Sequence, residues 1–292
     1  MKIKSIKFFT LGLSLNLCIF IIQGCEKSPV GSEDISLGAR KISGNINLND
    51  GSDPTGIYVW LEQFNLSTKA DQNGDFQLIL PTPASQGPPG GINGTFNLYY
   101  YMANYRLSSS LVITKNGEFV FSEADVNREG QLKLPNPLVK FLQIDTKITP
   151  STVKINFSQA IKVETTLEAV HRNVTVVFPK ALGRIIGAIF IKKVEDNRIY
   201  IIETEFDLNI VGDHETLLIL QPPEPRTMET EFKLNEVNLP TGDYEIIPYF
   251  LIEDKETPIA LFESFGAGID ELGPNYLKLP MRRNGGSFKI TK

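Results

Sequence analysis

Few side chains in this 292-residue chain can do chemistry. It holds two His and two Cys, too few for a four-Cys zinc site or a disulfide framework. The residue three places after His171 is Val174, and three after His214 is Leu217, so neither His opens a His-x-x-Glu pair. His214-Glu215 begins a His-Glu-x-x-His pattern, but Leu218 stands where the second His is needed. A Gly-x-Ser-x-Gly elbow, which lifts a nucleophilic Ser out of a strand-to-helix turn, does not occur. Nor does a Gly-x-x-x-x-Gly-Lys or Gly-x-Gly-x-x-Gly phosphate loop. The expectation is therefore a non-enzyme, with no catalytic, cofactor-binding or metal-binding residues.

Three other constellations carry chemistry in principle. Asp71, Asn73 and Asp75 present oxygens at alternate positions, as a calcium loop does. Phe76 and Thr82 stand where such a loop needs Gly and Glu, so a turn explains these residues more simply. Glu203, Glu205 and Asp207 share one face of a strand and could collect a cation, though a solvated sheet face is the simpler reading. Tyr58 and Trp60 alternate with Ile57, Val59 and Leu61, and Tyr99 and Tyr101 flank Tyr100. Aromatic rings on an outer sheet face can stack on sugar rings or anchor a partner, which makes Tyr58 and Trp60 the candidate ligand-binding residues. They can equally pack against a second sheet or a neighbouring domain, and a sandwich buries one face of every strand.

The elements that would position these residues are strands. Ile42, Gly44, Ile46 and Leu48 alternate with polar residues. Asn73-Gly74 separates Ser67–Asp71 from Asp75–Leu80, and Asn116-Gly117 separates Leu111–Thr114 from Glu118–Phe121. Asn-Gly between alternating runs predicts hairpins, because both residues tolerate positive φ. The Pro- and Gly-rich stretch from Pro81 to Gly94 breaks the pattern as a long loop. A boundary falls near Leu134–Pro150. Beyond it, strands are expected at Lys154–Phe157, Val174–Phe178, Ile185–Lys192, Ile199–Ile210, Thr216–Leu220, Phe232–Val237, Tyr244–Ile252, Ile259–Phe262 and Ser287–Thr291. Gln159–His171 also favours strand through its β-branched residues, and Pro248 predicts an edge or a bulge. The fold class is all-β: a first sandwich over 41–140 and a second over 141–292.

The N-terminus is of a different kind. Lys2, Lys4 and Lys7 precede Phe8–Ile22, a 15-residue run too short for a membrane span but suited to a secretory signal. Ile22-Gln23-Gly24-Cys25 then resembles the lipobox of bacterial lipoproteins. The resemblance implies cleavage of residues 1–24, diacylglycerol on the Cys25 thiol and acylation, such as palmitate, at the new amine. The mature chain would have 292 − 24 = 268 residues and a net charge of 26 − 34 = −8, and it would keep no thiol unmodified. Residues 25–40 hold Pro, Gly and Ser without apolar periodicity and read as a flexible tether of ~50 Å at full stretch.

Ile42-Ser43-Gly44, Pro54-Thr55-Gly56-Ile57-Tyr58-Val59, Ala70-Asp71-Gln72-Asn73-Gly74-Asp75-Phe76-Gln77-Leu78 and Leu80-Pro81 together resemble the carboxypeptidase regulatory-like domain. That family has a prealbumin-like sandwich. Leu239-Pro240-Thr241-Gly242-Asp243-Tyr244-Glu245-Ile246 is similar to a hairpin of immunoglobulin-like sandwiches in bacterial surface proteins. The expected role is that of a membrane-anchored cell-envelope lipoprotein, a non-catalytic structural or binding module, with the outer membrane favoured over the inner. Expected partners are the membrane through the lipid, and an envelope protein or polysaccharide. The acidic balance gives no pull towards nucleic acid. The alternatives are a carbohydrate-binding surface lipoprotein and an accessory subunit of an envelope peptidase or transporter.

Overall fold

Period-two alternation builds antiparallel sheets, and each sheet buries the face its apolar residues share. The computed structural model describes residues 38–133, 135, 137–204 and 215–292. The signal segment, Cys25 and the tether up to residue 37 lie outside the described residues, while Gly38–Arg40 forms one 3₁₀ turn.

The first layered unit contains β1 (Lys41–Asn45), β2 (Tyr58–Leu61), β3 (Leu66–Lys69), β4 (Asp75–Ile79), β5 (Gly94–Tyr101), β6 (Ser108–Lys115) and β7 (Glu118–Phe119). β1 pairs with β4, and the other five form a sheet in the order β3-β2-β5-β6-β7. β4 buries Phe76 and Leu78 and exposes Asp75, Gln77 and Ile79. Those two side chains meet Ile42, Val59, Leu61, Leu98 and Tyr100 in one core. Burying each such side chain contributes ~1.5–3 kcal/mol.

The second unit contains β8 (Leu142–Thr149), β9 (Thr152–Lys154), β10 (Ile161–Ala169), β11 (Val174–Pro179), β12 (Ala188–Lys193), β13 (Ile199–Glu203), β14 (Glu215–Leu220) and β15 (Arg226–Phe232). α1 (Leu234–Val237), β16 (Gly242–Pro248), β17 (Leu251–Ile252), α2 (Ile259–Glu263), β18 (Asn284–Gly285) and β19 (Ser287–Thr291) complete it. Its sheets run β15-β10-β8-β18, β14-β11-β17 and β13-β12-β16-β19-β9 around a second core that includes Leu167, Phe178, Ile189, Tyr244 and Phe288.

Several sequence expectations need correction. β3 and β4 do not form a hairpin: β3 pairs with β2, and β4 pairs with β1 in the other layer. Asn73-Gly74 therefore turns the chain between layers. Only Gly74 has positive φ there, at 82°, and a Cβ on it would sit 2.2 Å from the Ile46 carbonyl oxygen. Asn116-Gly117 does close a two-residue hairpin, with φ of 54° and 76°. β16 as a whole is not an edge strand, but Pro248 is paired on one side only, by β12. β16 runs between β12 and β19, and Pro248 is its last residue, beyond the part that β19 pairs. After it the chain crosses to another sheet as β17. Phe232–Val237 splits into the end of β15 and α1, and Ile259–Phe262 is helical because Pro258 caps a short helix. β9 ends at Lys154, so Lys154–Phe157 is mostly turn. Leu239–Ile246 is not a hairpin; Tyr244 instead donates its hydroxyl to the Pro240 carbonyl at 2.5 Å, tying the start of β16 to the preceding corner.

A third core joins the two layered units. Tyr58, Trp60, Tyr101 and Ala103 from the first pack with Phe190, Ile247, Tyr249, Leu261, Phe265 and Tyr276 from the second. Phe190 stacks on Tyr276 with centroids 5.4 Å apart and planes 11° apart, and Tyr58 lies 4.3 Å from Phe265. Asn104 fastens the same seam. Its amide donates to the Leu142 and Arg282 carbonyls at 2.9 Å each, and its oxygen accepts the Arg282 N–H at 3.0 Å.

Candidate functional site

The five-residue helix α2 follows an Asp-Lys-Glu-Thr-Pro stretch. The Thr257 hydroxyl donates to Asp254 at 3.0 Å, and the Pro258 carbonyl accepts the Leu261 N–H at 3.0 Å. One turn of helix cannot bury every apolar residue it carries. Leu261 points into the seam, and Ile259 is left 77% exposed. Beside α2 lies the outer face of the β14-β11-β17 sheet, whose register places Leu217, Val177 and Leu251 in one row.

Between helix and sheet runs an open groove of about 780 Å³. Val177, Leu251, Ile252, Ile259, Phe262 and Leu279 give it apolar walls. The apolar surface continues along β14 to Leu217 and Ile219, which are 55% and 61% exposed. Among the described residues, Glu215, Glu253, Glu263 and Asp270 are the charged residues that line the groove. Among the described residues, Glu253, Glu263 and Asp270 take part in no ion pair. The Lys278 ammonium lies near Gly266 at one end, 3.9 Å from where a Cβ there would stand. Tyr101 lines the groove, and Tyr249 behind it donates its hydroxyl to the Asp270 carbonyl at 2.6 Å. Burial pushes the Tyr101 phenol far above its ordinary range, and the Tyr249 phenol is pushed up to about 12, chiefly by burial. An apolar floor with an acidic rim suits an apolar group that carries positive charge nearby.

The residues singled out in the sequence fall elsewhere. Tyr58 and Trp60 are 6% and 3% exposed. The face they share is covered by Leu261, Phe265 and their neighbours, the packing arrangement. The Tyr58 hydroxyl is 3.0 Å from the Ser264 hydroxyl, and Trp60 donates its ring N–H to Asn65 at 3.0 Å. Of that aromatic row, Tyr101 is the ring that lines the groove. Cys25, Glu205, Asp207 and His214 lie outside the described residues. Glu203 pairs with Lys180 at 3.1 Å, and His171 sits exposed in a turn with φ of 69°. Asp71 spends its Oδ1 on the N–H groups of Asn73 and Asp75, at 2.8 and 3.0 Å, so the would-be calcium loop caps its own turn. Among the described residues, no three His, Cys, Asp or Glu side chains converge to hold a metal.

The Pro/Gly-rich loop is pinned at its waist. Gln86 donates to the Pro81 and Gly117 carbonyls at 2.9 and 2.8 Å and accepts the Ile92 N–H at 2.9 Å. The groove itself left one trace in the sequence. Leu217-Leu218-Ile219-Leu220 is apolar at every position, so both faces of that strand are apolar where a solvated sheet would alternate. No protein-family model matches this chain, and no curated protein matches it significantly.

Proposed function

We propose that this chain is a lipid-anchored, non-catalytic binding protein of a bacterial cell envelope, and that its groove docks an apolar segment of another envelope protein flanked by basic residues. The anchor is supported by the order of Lys2–Lys7, the apolar run and Ile22-Gln23-Gly24-Cys25. Two or more acyl chains at Cys25 would hold the protein firmly, since each buried CH₂ adds ~0.8 kcal/mol. Among the described residues, no helix is long and apolar enough to cross a membrane. The resemblance to the carboxypeptidase regulatory-like domain supports the reading of the first unit as a stiff module that carries no chemistry of its own.

The observation that carries the docking is the meeting of exposed Ile259, Leu217 and Ile219 with a rim of carboxylates. Large apolar patches rimmed by polar groups mark interaction sites. A mature chain that is acidic overall favours basic flanks on the partner. An accessory role beside an envelope peptidase or transporter would use the same groove. A sugar reader working through Tyr58 and Trp60 would first have to uncover them.

The test has two arms. Labelled palmitate should enter the wild type and not Cys25→Ala. In Cys25→Ala, a synthetic peptide with an apolar centre and Lys flanks should bind by fluorescence anisotropy, weaken as salt rises and be lost in Ile259→Glu. Equal binding of the same peptide with Glu flanks would overturn the docking reading.

A further inference from the structure

A second cavity, of about 330 Å³, opens on the seam between the two layered units, on walls drawn from both. The first unit gives Thr55, Gly56, Lys69 and Met102, and the second gives Lys192, Glu245, Ile247 and the stretch Leu277–Arg283. Lys69, Lys192, Lys278, Arg282 and Arg283 therefore border a single small cavity in a chain where acids outnumber bases by 34 to 29. Among the described residues none of these five forms an ion pair. Two carboxylates stand close by. Glu245 is the cross-strand partner of Lys192, and Asp53 accepts the Thr55 N–H at 2.8 Å and also feels the Arg282 charge.

The two guanidiniums are held in place before any ligand arrives. Asn104 clamps the Arg282 backbone from both sides, and one Arg282 amino group donates to the Thr55 carbonyl across the seam. Arg283 donates to the Tyr276 hydroxyl at 3.2 Å and lies over that ring, 5.7 Å from its centroid. Yet the Nε–H of each is buried and, among the described residues, has no hydrogen-bond partner. A buried charged donor left unpaired keeps its full desolvation penalty, so two in adjacent residues call for an acceptor. Guanidiniums match the oxygens of phosphate in a planar fork, and lysines add point charge around them. The volume sits at the low end of the ~300–1,000 Å³ of small-molecule sites.

We infer that this seam cavity is a binding site for a compact phosphate-bearing anion, with Arg282 and Arg283 as the positioned donors and Lys69 and Lys192 as the surrounding charge. Because both units supply its walls, a bound anion would also tie the seam. The phosphate could belong to a free solute or to a lipid headgroup, and the two sources separate experimentally.

Isothermal titration of the full chain in non-ionic detergent with pyrophosphate, at fixed chloride, is the first arm. The second is flotation of Cys25→Ala with phosphatidylcholine vesicles with and without phosphatidic acid. Saturable binding is expected in at least one arm. The Lys69→Gln/Lys192→Gln variant should weaken it about tenfold or more, and Lys115→Gln, on the distant β6 end, should not change it. Arg282→Gln should weaken it further, and the lysine variant keeps the test readable if Arg282→Gln misfolds. Pyrophosphate binding identifies a soluble ligand; phosphatidate-dependent flotation alone identifies a headgroup. No binding in either arm, or binding that the Lys69/Lys192 variant leaves unchanged, would overturn the assignment.

Discussion

Phe265→Ala is the sharpest perturbation of the aromatic seam. Phe265 is nearly buried, with its ring 4.3 Å from Tyr58 and 5.8 Å from Tyr101, so it touches the first unit from a segment of the second. Truncating a buried Phe to Ala costs ~3–5 kcal/mol, because transfer energy and cavity add. In a body of this size each kcal/mol moves the midpoint by ~2–4 °C, so the shift should be roughly 10 °C. The seam makes a further demand. Residues Leu37–Lys292 form one compact unit, so both sandwich cores should melt together. Calorimetry of Cys25→Ala should show one transition, and Phe265→Ala should lower it as a whole. Phe76→Ala, which empties only the first core, should lower the same transition. Two separated transitions, with Phe265→Ala moving only one, would refute the claim that the seam couples the units.

Three other outcomes follow from the structure. Lys140 and Ser52 hold Asp50 down to about 2, against partial burial that works the other way. A depressed carboxylate contributes stability that is present above pH ~4 and lost as pH falls towards ~2; with its solvent-facing side discounted, that is about 1 kcal/mol. Asp50→Asn should flatten the acid limb of the stability–pH curve by that amount, and an unchanged limb would contradict the pairing. Gly74→Ala combines φ of 82° with a Cβ 2.2 Å from a backbone oxygen, so it should destabilise by ~2 kcal/mol or more in urea titration, whereas Gly51→Ala, with open space around it, should cost only its backbone strain. Gln86→Ala should speed proteolysis between Pro81 and Ile92 without moving the midpoint by more than a degree or two, because its three hydrogen bonds hold an exposed loop and no core.

The class of fold was legible because alternation is a local property. Ile42 to Leu48 and Phe76 to Leu78 announce strands wherever they pair, and Asn116-Gly117 closes a hairpin with its own φ angles. Partner choice was not legible. Asn73-Gly74 looks the same in sequence, yet β4 pairs with β1 some thirty residues earlier, where Ile42 and Leu78 share a core to which β3 adds only the partly buried Leu66. The aromatic face of β2 was visible, but its cover comes from a segment around 258–279 with neither period, and a short helix begun at Pro258 leaves no repeat to read. The groove and the seam cavity depend on that segment, so neither could be assembled from local pattern. The two arginines of the cavity are adjacent in sequence, but Lys69 and Lys192 reach them only through the packing of the units.

The anchor is the claim on which the functional reading rests, and the intact mass of the native N-terminal peptide tests it most directly. The account predicts a peptide that begins at Cys25 and carries diacylglycerol on sulfur, with an acyl group on its amine. A chain that retains Met1, or an unmodified Cys25, would contradict it.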